Sequence, residues 1–86
     1  MVTINNPYSG ASYQYEGTFA INGDFRSVDG HVTMLNGSIQ RDGQYIGNVN
    51  VNNDNINVSV PRTNLRAATN DVYNLLDEIE AQINAE

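Results

Sequence analysis

Residues 47–60 read Gly47-Asn48-Val49-Asn50-Val51-Asn52-Asn53-Asp54-Asn55-Ile56-Asn57-Val58-Ser59-Val60. Apolar and polar residues alternate on both sides of Asn53-Asp54, which is the period of a β-strand with one face buried. A two-residue hairpin centred on Asn53-Asp54 sets Val51 opposite Ile56, Val49 opposite Val58 and Gly47 opposite Val60. One face of that hairpin carries Val49, Val51, Ile56, Val58 and Val60. The other carries Asn48, Asn50, Asn52, Asn55, Asn57 and Ser59, a surface of amides and a hydroxyl without charge.

Upstream, the pairs Asn22-Gly23, Asp29-Gly30, Asn36-Gly37 and Asp42-Gly43 recur every six or seven residues. Such pairs are favoured where both centres of a tight hairpin turn need positive φ. Read as four turns, they leave short strands at Asp24–Val28, His31–Leu35 and Ser38–Arg41. Before them, Tyr13, Tyr15, Phe19 and Ile21 alternate with polar residues. The expectation is an antiparallel β-meander of about five short strands over residues 13–60. Glycines at this spacing also suit a β-solenoid or a fibre-like β-structure, but those architectures do not call for Asn-Gly or Asp-Gly pairs.

The face assignment is less regular upstream. Phe25, Val32, Met34, Ile39 and Ile46 fall on the side that later becomes the asparagine face, whereas Val28, Leu35 and Tyr45 fall on the other. A bulge near Gly47, cover on both sides, or a strongly twisted or rolled sheet would each account for the change.

Downstream, Pro61 ends the last strand because it cannot donate to a ladder. Thr63 is a candidate N-cap, and Leu65, Ala68, Val72, Leu75, Leu76, Ile79 and Ile83 follow at helical spacing. A helix is therefore expected over residues 63–85, which makes the fold class α+β. From Asn64 to Asn84, at about 1.5 Å per residue, it would run about 31 Å, longer than five-residue strands of about 17 Å, so it would overhang such a sheet or lie diagonally across it. Its charges are reversed relative to the macrodipole, with Arg62 and Arg66 at the start and Asp77, Glu78, Glu80 and Glu86 towards the end. Antiparallel pairing with a second copy would neutralise that reversal; screening by solvent is the simpler explanation. Residues 1–12 read as an N-terminal arm, in which Val2 and Ile4 could form a short edge strand before an Asn6-Pro7 turn.

Eighty-six residues are enough for one domain, 1–86, with a thin core. The chain has no cysteine, hence no disulfide framework and no thiolate metal site. No basic segment leads into an apolar run at the N-terminus, and no stretch approaches the roughly 20 apolar residues that cross a bilayer. The expected location is cytoplasmic or virion-associated. Ten acidic residues against four arginines, with no lysine, leave a net charge of −6. That charge disfavours direct contact with nucleic acid or an anionic membrane and favours a protein with a basic surface.

Little in the sequence points to chemistry. Ser27, Asp29 and His31 can be spelled as a triad, but a working triad needs an oxyanion hole and a pocket. Residues 50–54 alternate like a calcium loop yet lack its central glycine and closing glutamate. No phosphate loop is present, no cofactor is expected, and the protein reads as a non-enzyme.

Interaction residues are the better candidates. They are the helix end (Asp77, Glu78, Ile79, Glu80, Ile83), the tyrosines Tyr8, Tyr13 and Tyr15, and the asparagines Asn48, Asn50 and Asn57. The leading functional expectation is a non-catalytic, acidic inhibitor or adaptor that occupies a basic, nucleic-acid-binding type of surface on a partner protein. The alternative is a homo-oligomeric structural subunit, for example of a viral particle, assembling through the helix and the asparagine face, with a homodimer through the helix as its simplest form. A carbohydrate-binding module comes third.

Overall fold

The structure is a computed structural model and describes residues 2–4 and 11–84. Among these residues the chain forms a six-stranded antiparallel sheet in sequence order, followed by one helix. The strands are β1 (Val2–Ile4), β2 (Ser12–Glu16), β3 (Ala20–Val28), β4 (His31–Arg41), β5 (Gln44–Asn52) and β6 (Asn55–Ser59). A 3₁₀ turn, Arg62–Asn64, leads into α1, Leu65–Asn84. This is the expected α+β meander with one more strand, because Val2–Ile4 pairs with β2. The Asn6-Pro7 turn and Tyr8 lie outside the described residues.

Only two of the four glycine pairs are turns. Asp29-Gly30 (φ 54° and 81°) and Asp42-Gly43 (φ 54° and 80°) hold positive φ at both centres, and Asn53 (φ 54°) opens the last hairpin. Asn22-Gly23 and Asn36-Gly37 instead lie in mid-strand, with Gly23 paired to Gly37. The expected short segments therefore fuse into β3 and β4, of nine and eleven residues.

The reason for these two glycines is steric. Tyr13 on β2 pairs with Gly23 on β3, which pairs with Gly37 on β4. A Cβ on Gly37 would overlap the Tyr13 hydroxyl, and a Cβ on Gly23 would overlap the Asn36 carbonyl. Two bare backbones side by side let the tyrosine side chain cross β3 and rest on β4, a packing that small residues in sheets make possible.

Two bulges settle the face assignment. The register shifts between Arg26 and Ser27, where Thr33 is the extra residue on β4, and again between Ile39 and Gln40, where Ile46 is extra beside Gly47. The first puts Val32 and Leu35 on one face and turns Met34 outward; the second carries the alternation into Val49 and Val51. Core residues then align across the strands. Val2, Tyr15, Ile21 and Ile39 make one row; Phe25, Leu35, Val51 and Ile56 make another. The expected pairings Val49–Val58 and Val51–Ile56 are present, and so is the asparagine face.

The helix covers the apolar face. Ala68, Val72, Leu75 and Ile79 are fully buried, and each large side chain contributes about 1.5–3 kcal/mol. Polar side chains flank this stripe on both sides, as the 3.6-residue period requires. On one flank Asp71 accepts the Phe19 N–H at 2.7 Å, Glu78 accepts the Val2 N–H at 2.9 Å, and Gln82 donates to the Val2 carbonyl at 2.9 Å. On the other, Glu80 accepts the Val32 N–H at 3.0 Å and Asn84 donates to the Gly30 carbonyl at 3.2 Å.

Two expectations about the helix need correcting. Thr63 is not its N-cap: it lies inside the 3₁₀ turn, where Asn64 N–H bonds the Pro61 carbonyl at 2.8 Å. Nor does the helix overhang, since eleven-residue β4 is about 36 Å long against about 30 Å for twenty helical residues. The charge reversal is real, with no acid in the first turn and no base in the last. Its cost of about 0.3–1 kcal/mol per charge is offset within the chain, because Glu78 and Glu80 make charge-assisted bonds to sheet amides worth about 1.5–3 kcal/mol when well shielded.

Candidate interaction groove

The sites expected from sequence separate into three groups. Tyr13, Tyr15 and Ile79 are core residues, at 1%, 4% and 0% exposure, so the reading of them as contact residues is corrected. Tyr13 donates to the Asn36 carbonyl at 2.8 Å, and its phenol is held well above the ordinary tyrosine range by burial and then by Asp24. Tyr15 is likewise raised, by burial first and then by the charges of Asp71 and Glu78, against a lowering hydrogen bond with Asn74. Ile83 is half-buried against the same side of the helix, and Glu78 is committed to β1. Pairing of two helices through Ile79 is therefore not available to the folded chain.

Asn48, Asn50 and Asn57 are exposed on the outer face of the sheet. Asn50 donates to Asn36 Oδ1 at 2.9 Å and Asn48 to the Tyr45 hydroxyl at 3.3 Å. In register, Ser12, Asp24, Asn36, Asn50 and Asn57 form one row across five strands, and Gln14, Asn22, Ser38, Asn48 and Ser59 form the next.

The third group, Asp77 and Glu80, lines a groove of about 590 Å³ between α1 and the end of the sheet formed by the start of β4 and the β5–β6 turn. Tyr73, Leu76, Asp77 and Glu80 enter it from the helix at i, i+3, i+4 and i+7, one stripe of the helix surface. His31, Val32 and Thr33 enter from the bulged start of β4, and Asn53, Asp54 and Ile56 from the last hairpin. The bulge is tied to that hairpin, because the Asn53 N–H donates to the Thr33 carbonyl at 2.8 Å.

Val32, Val51, Ile56 and Leu76 give the groove an apolar floor; Asp54, Asp77 and Glu80 give it three carboxylates at the rim. No arginine lines it. Glu80 is oriented by the Val32 N–H and lies 3.8 Å from His31 Nδ1, while the His31 ring is largely in solvent. Tyr73, 55% exposed, presents its ring at the same rim.

Such a groove can take a cation on an aliphatic stem, with methylenes on the floor, charge against the carboxylates and an aromatic face alongside. Among the described residues no three acidic or histidine side chains converge to hold a metal ion, and no helix is long and apolar enough to cross a membrane. Asp54 and Tyr73 were not identified from sequence. The helical spacing from Tyr73 to Glu80 is visible there, but Asp54 joins it only through the fold. No protein-family model, curated protein or solved structure matches this chain.

Proposed function

We propose that the protein is a non-catalytic interaction module that binds a basic segment of a partner protein in the groove between α1 and the β5–β6 hairpin. The supporting observation is the placement of Asp54, Asp77 and Glu80 around an apolar floor that no arginine lines. A net charge of −6 speeds the approach of a basic partner, and the groove gives the encounter an address. This reading narrows the expectation of an acidic adaptor or inhibitor, because two of the acids at the helix end, Glu78 and Glu80, also hold the sheet.

The test is fluorescence anisotropy with a labelled peptide alternating arginine and leucine, titrated at low and moderate salt. Binding should weaken as salt rises. Asp54→Asn with Asp77→Asn should weaken it by about 2- to 30-fold, the effect of two exposed ion pairs. Asp29→Asn with Asp42→Asn removes the same charge elsewhere and should cost much less. Equal losses in the two double variants, or no binding at low salt, would reject the groove as the site.

A further inference from the structure

The two edges of the sheet are treated differently. On β1 the helix takes both backbone groups of Val2, through Glu78 and Gln82. The opposite edge, β6, reads Asn55-Ile56-Asn57-Val58-Ser59 and has no charge, no proline and no bulge in its pairing with β5. Natural edge strands normally carry one of those features or a cover, because a bare edge is a template for another strand.

The closing hairpin fixes which groups are bare. Asn52–Asn55 is the pair next to the two-residue turn, so antiparallel alternation directs the backbones of Asn55, Asn57 and Ser59 towards β5. The N–H and C=O groups of Ile56 and Val58 then point off the sheet. Among the described residues, no backbone hydrogen bond outside the ladder reaches them.

We infer that β6 pairs with β6 of a second copy, antiparallel about a two-fold axis through Asn57, joining two sheets into one. The strand matches its own reverse. About Asn57, Asn55 falls opposite Ser59, Ile56 opposite Val58, and Asn57 opposite itself. This register returns four hydrogen bonds to Ile56 and Val58, keeps both side chains on the helix-covered side and covers more of their half-exposed surface. On the outer face it continues the row Ser12, Asp24, Asn36, Asn50 and Asn57 directly into its mirror-ordered copy. It also brings the Asp54 turn of each copy beside the Arg62 corner of the other, opposite charges at an otherwise uncharged seam. A strand of foreign sequence would need the same alternation and the same lack of charge; a second copy has both by construction of the two-fold.

The inference does not rest on the groove, and salt separates the two. Two bodies each of charge −6 repel, so added salt should strengthen self-pairing while it weakens binding of a basic peptide. Sedimentation velocity of the full chain at low and moderate salt should show a 9.5 kDa species giving way to one of twice that mass as concentration and salt rise. Asn57→Lys sets two like charges face to face across the axis at an exposed position. It should weaken the dimer at least tenfold while leaving the urea midpoint of the monomer unchanged. Val58→Pro, which removes an outward N–H, should weaken the dimer likewise. Hydrogen exchange supplies a local readout: the Ile56 and Val58 amides should gain protection as concentration rises, and the Asn57 amide should be protected throughout. A monomer in both salts up to about 100 µM, a dimer indifferent to Asn57→Lys, or open assemblies larger than a dimer would each overturn the inference.

Discussion

The Tyr13 hydroxyl on β2 donates a 2.8 Å hydrogen bond to the carbonyl of Asn36, two strands away on β4. The contact is possible because Gly23 and Gly37 lie side by side beneath it. Three residues far apart in sequence thus form one packing unit, with Phe25 closing its side at a ring separation of 6.2 Å.

Gly37→Ala should destabilise the fold by about 1–3 kcal/mol, because its methyl would overlap the Tyr13 hydroxyl. Tyr13→Phe alone should cost about 1 kcal/mol, leaving the Asn36 carbonyl without that donor. The double variant should be more stable than the sum of the two losses, since removing the hydroxyl makes room for the methyl. Urea midpoints of the four proteins give the coupling; strict additivity would disprove the packing unit.

Asp71 is the buried carboxylate of the helix, 4% exposed, and it accepts the Phe19 N–H. Asp71→Ala leaves that donor unpaired and should cost about 1–3 kcal/mol. Asp71→Asn retains an acceptor oxygen and should cost clearly less. If the two substitutions shift the thermal midpoint equally, the bond is not what Asp71 contributes.

Alkaline pH should unfold this protein through its core tyrosines. Tyr13 and Tyr15 both have raised phenol pKa values, so the folded chain retains protons that the unfolded chain releases. Their contribution is complete below the unfolded value of about 10 and is lost as pH rises from there through the folded values. Urea midpoints should be level between pH 7 and 9 and fall above pH 10. Tyr13→Phe should make that fall shallower, and an unchanged slope would contradict the assignment.

Glu78→Ala with Gln82→Ala removes both side chains that hold the Val2 backbone. The amides of β1 should then exchange with solvent markedly faster, while those of β4 and β5 keep most of their protection, as expected for local opening of an edge. Uniform acceleration across the sheet would show instead that β1 is part of the global folding unit.

Much of the architecture is legible in local pattern. The alternation of residues 47–60 gives the last hairpin its register, and the apolar spacing from Leu65 to Ile83 gives the helix and its buried stripe. What misleads is Asn-Gly at 22–23 and 36–37. The same dipeptide serves a turn by taking positive φ and serves a strand by having no Cβ, and neighbours on other strands decide between the two uses, the Tyr13 hydroxyl at Gly37 and the Asn36 carbonyl at Gly23. The bulge at Thr33 is equally silent in sequence, so Val32 and Met34, expected on one face, part between the core and solvent.

The candidate site divides along the same line. Asp77 and Glu80 are found from charge, but Asp54 reaches them only by closure of the sheet. Tyr13 and Tyr15 look like contact residues because tyrosine suits interfaces; burial depends on neighbours from other strands and the helix. Asp71, Glu78 and Gln82, spaced seven and four apart on one helix flank, were a readable signal that a polar rail borders the stripe.

The mid-strand position of Asn22-Gly23 and Asn36-Gly37 also bears on how the molecule ages. Asparagine before glycine loses ammonia when the glycine nitrogen attacks the side-chain carbonyl, a reaction that needs the chain to fold back on itself. The paired, extended backbone at both positions opposes that approach. Conversion of Asn22 and Asn36 to acids therefore records time spent with the central ladder open, and the folded protein carries two chemical clocks that run mainly while it is unfolded.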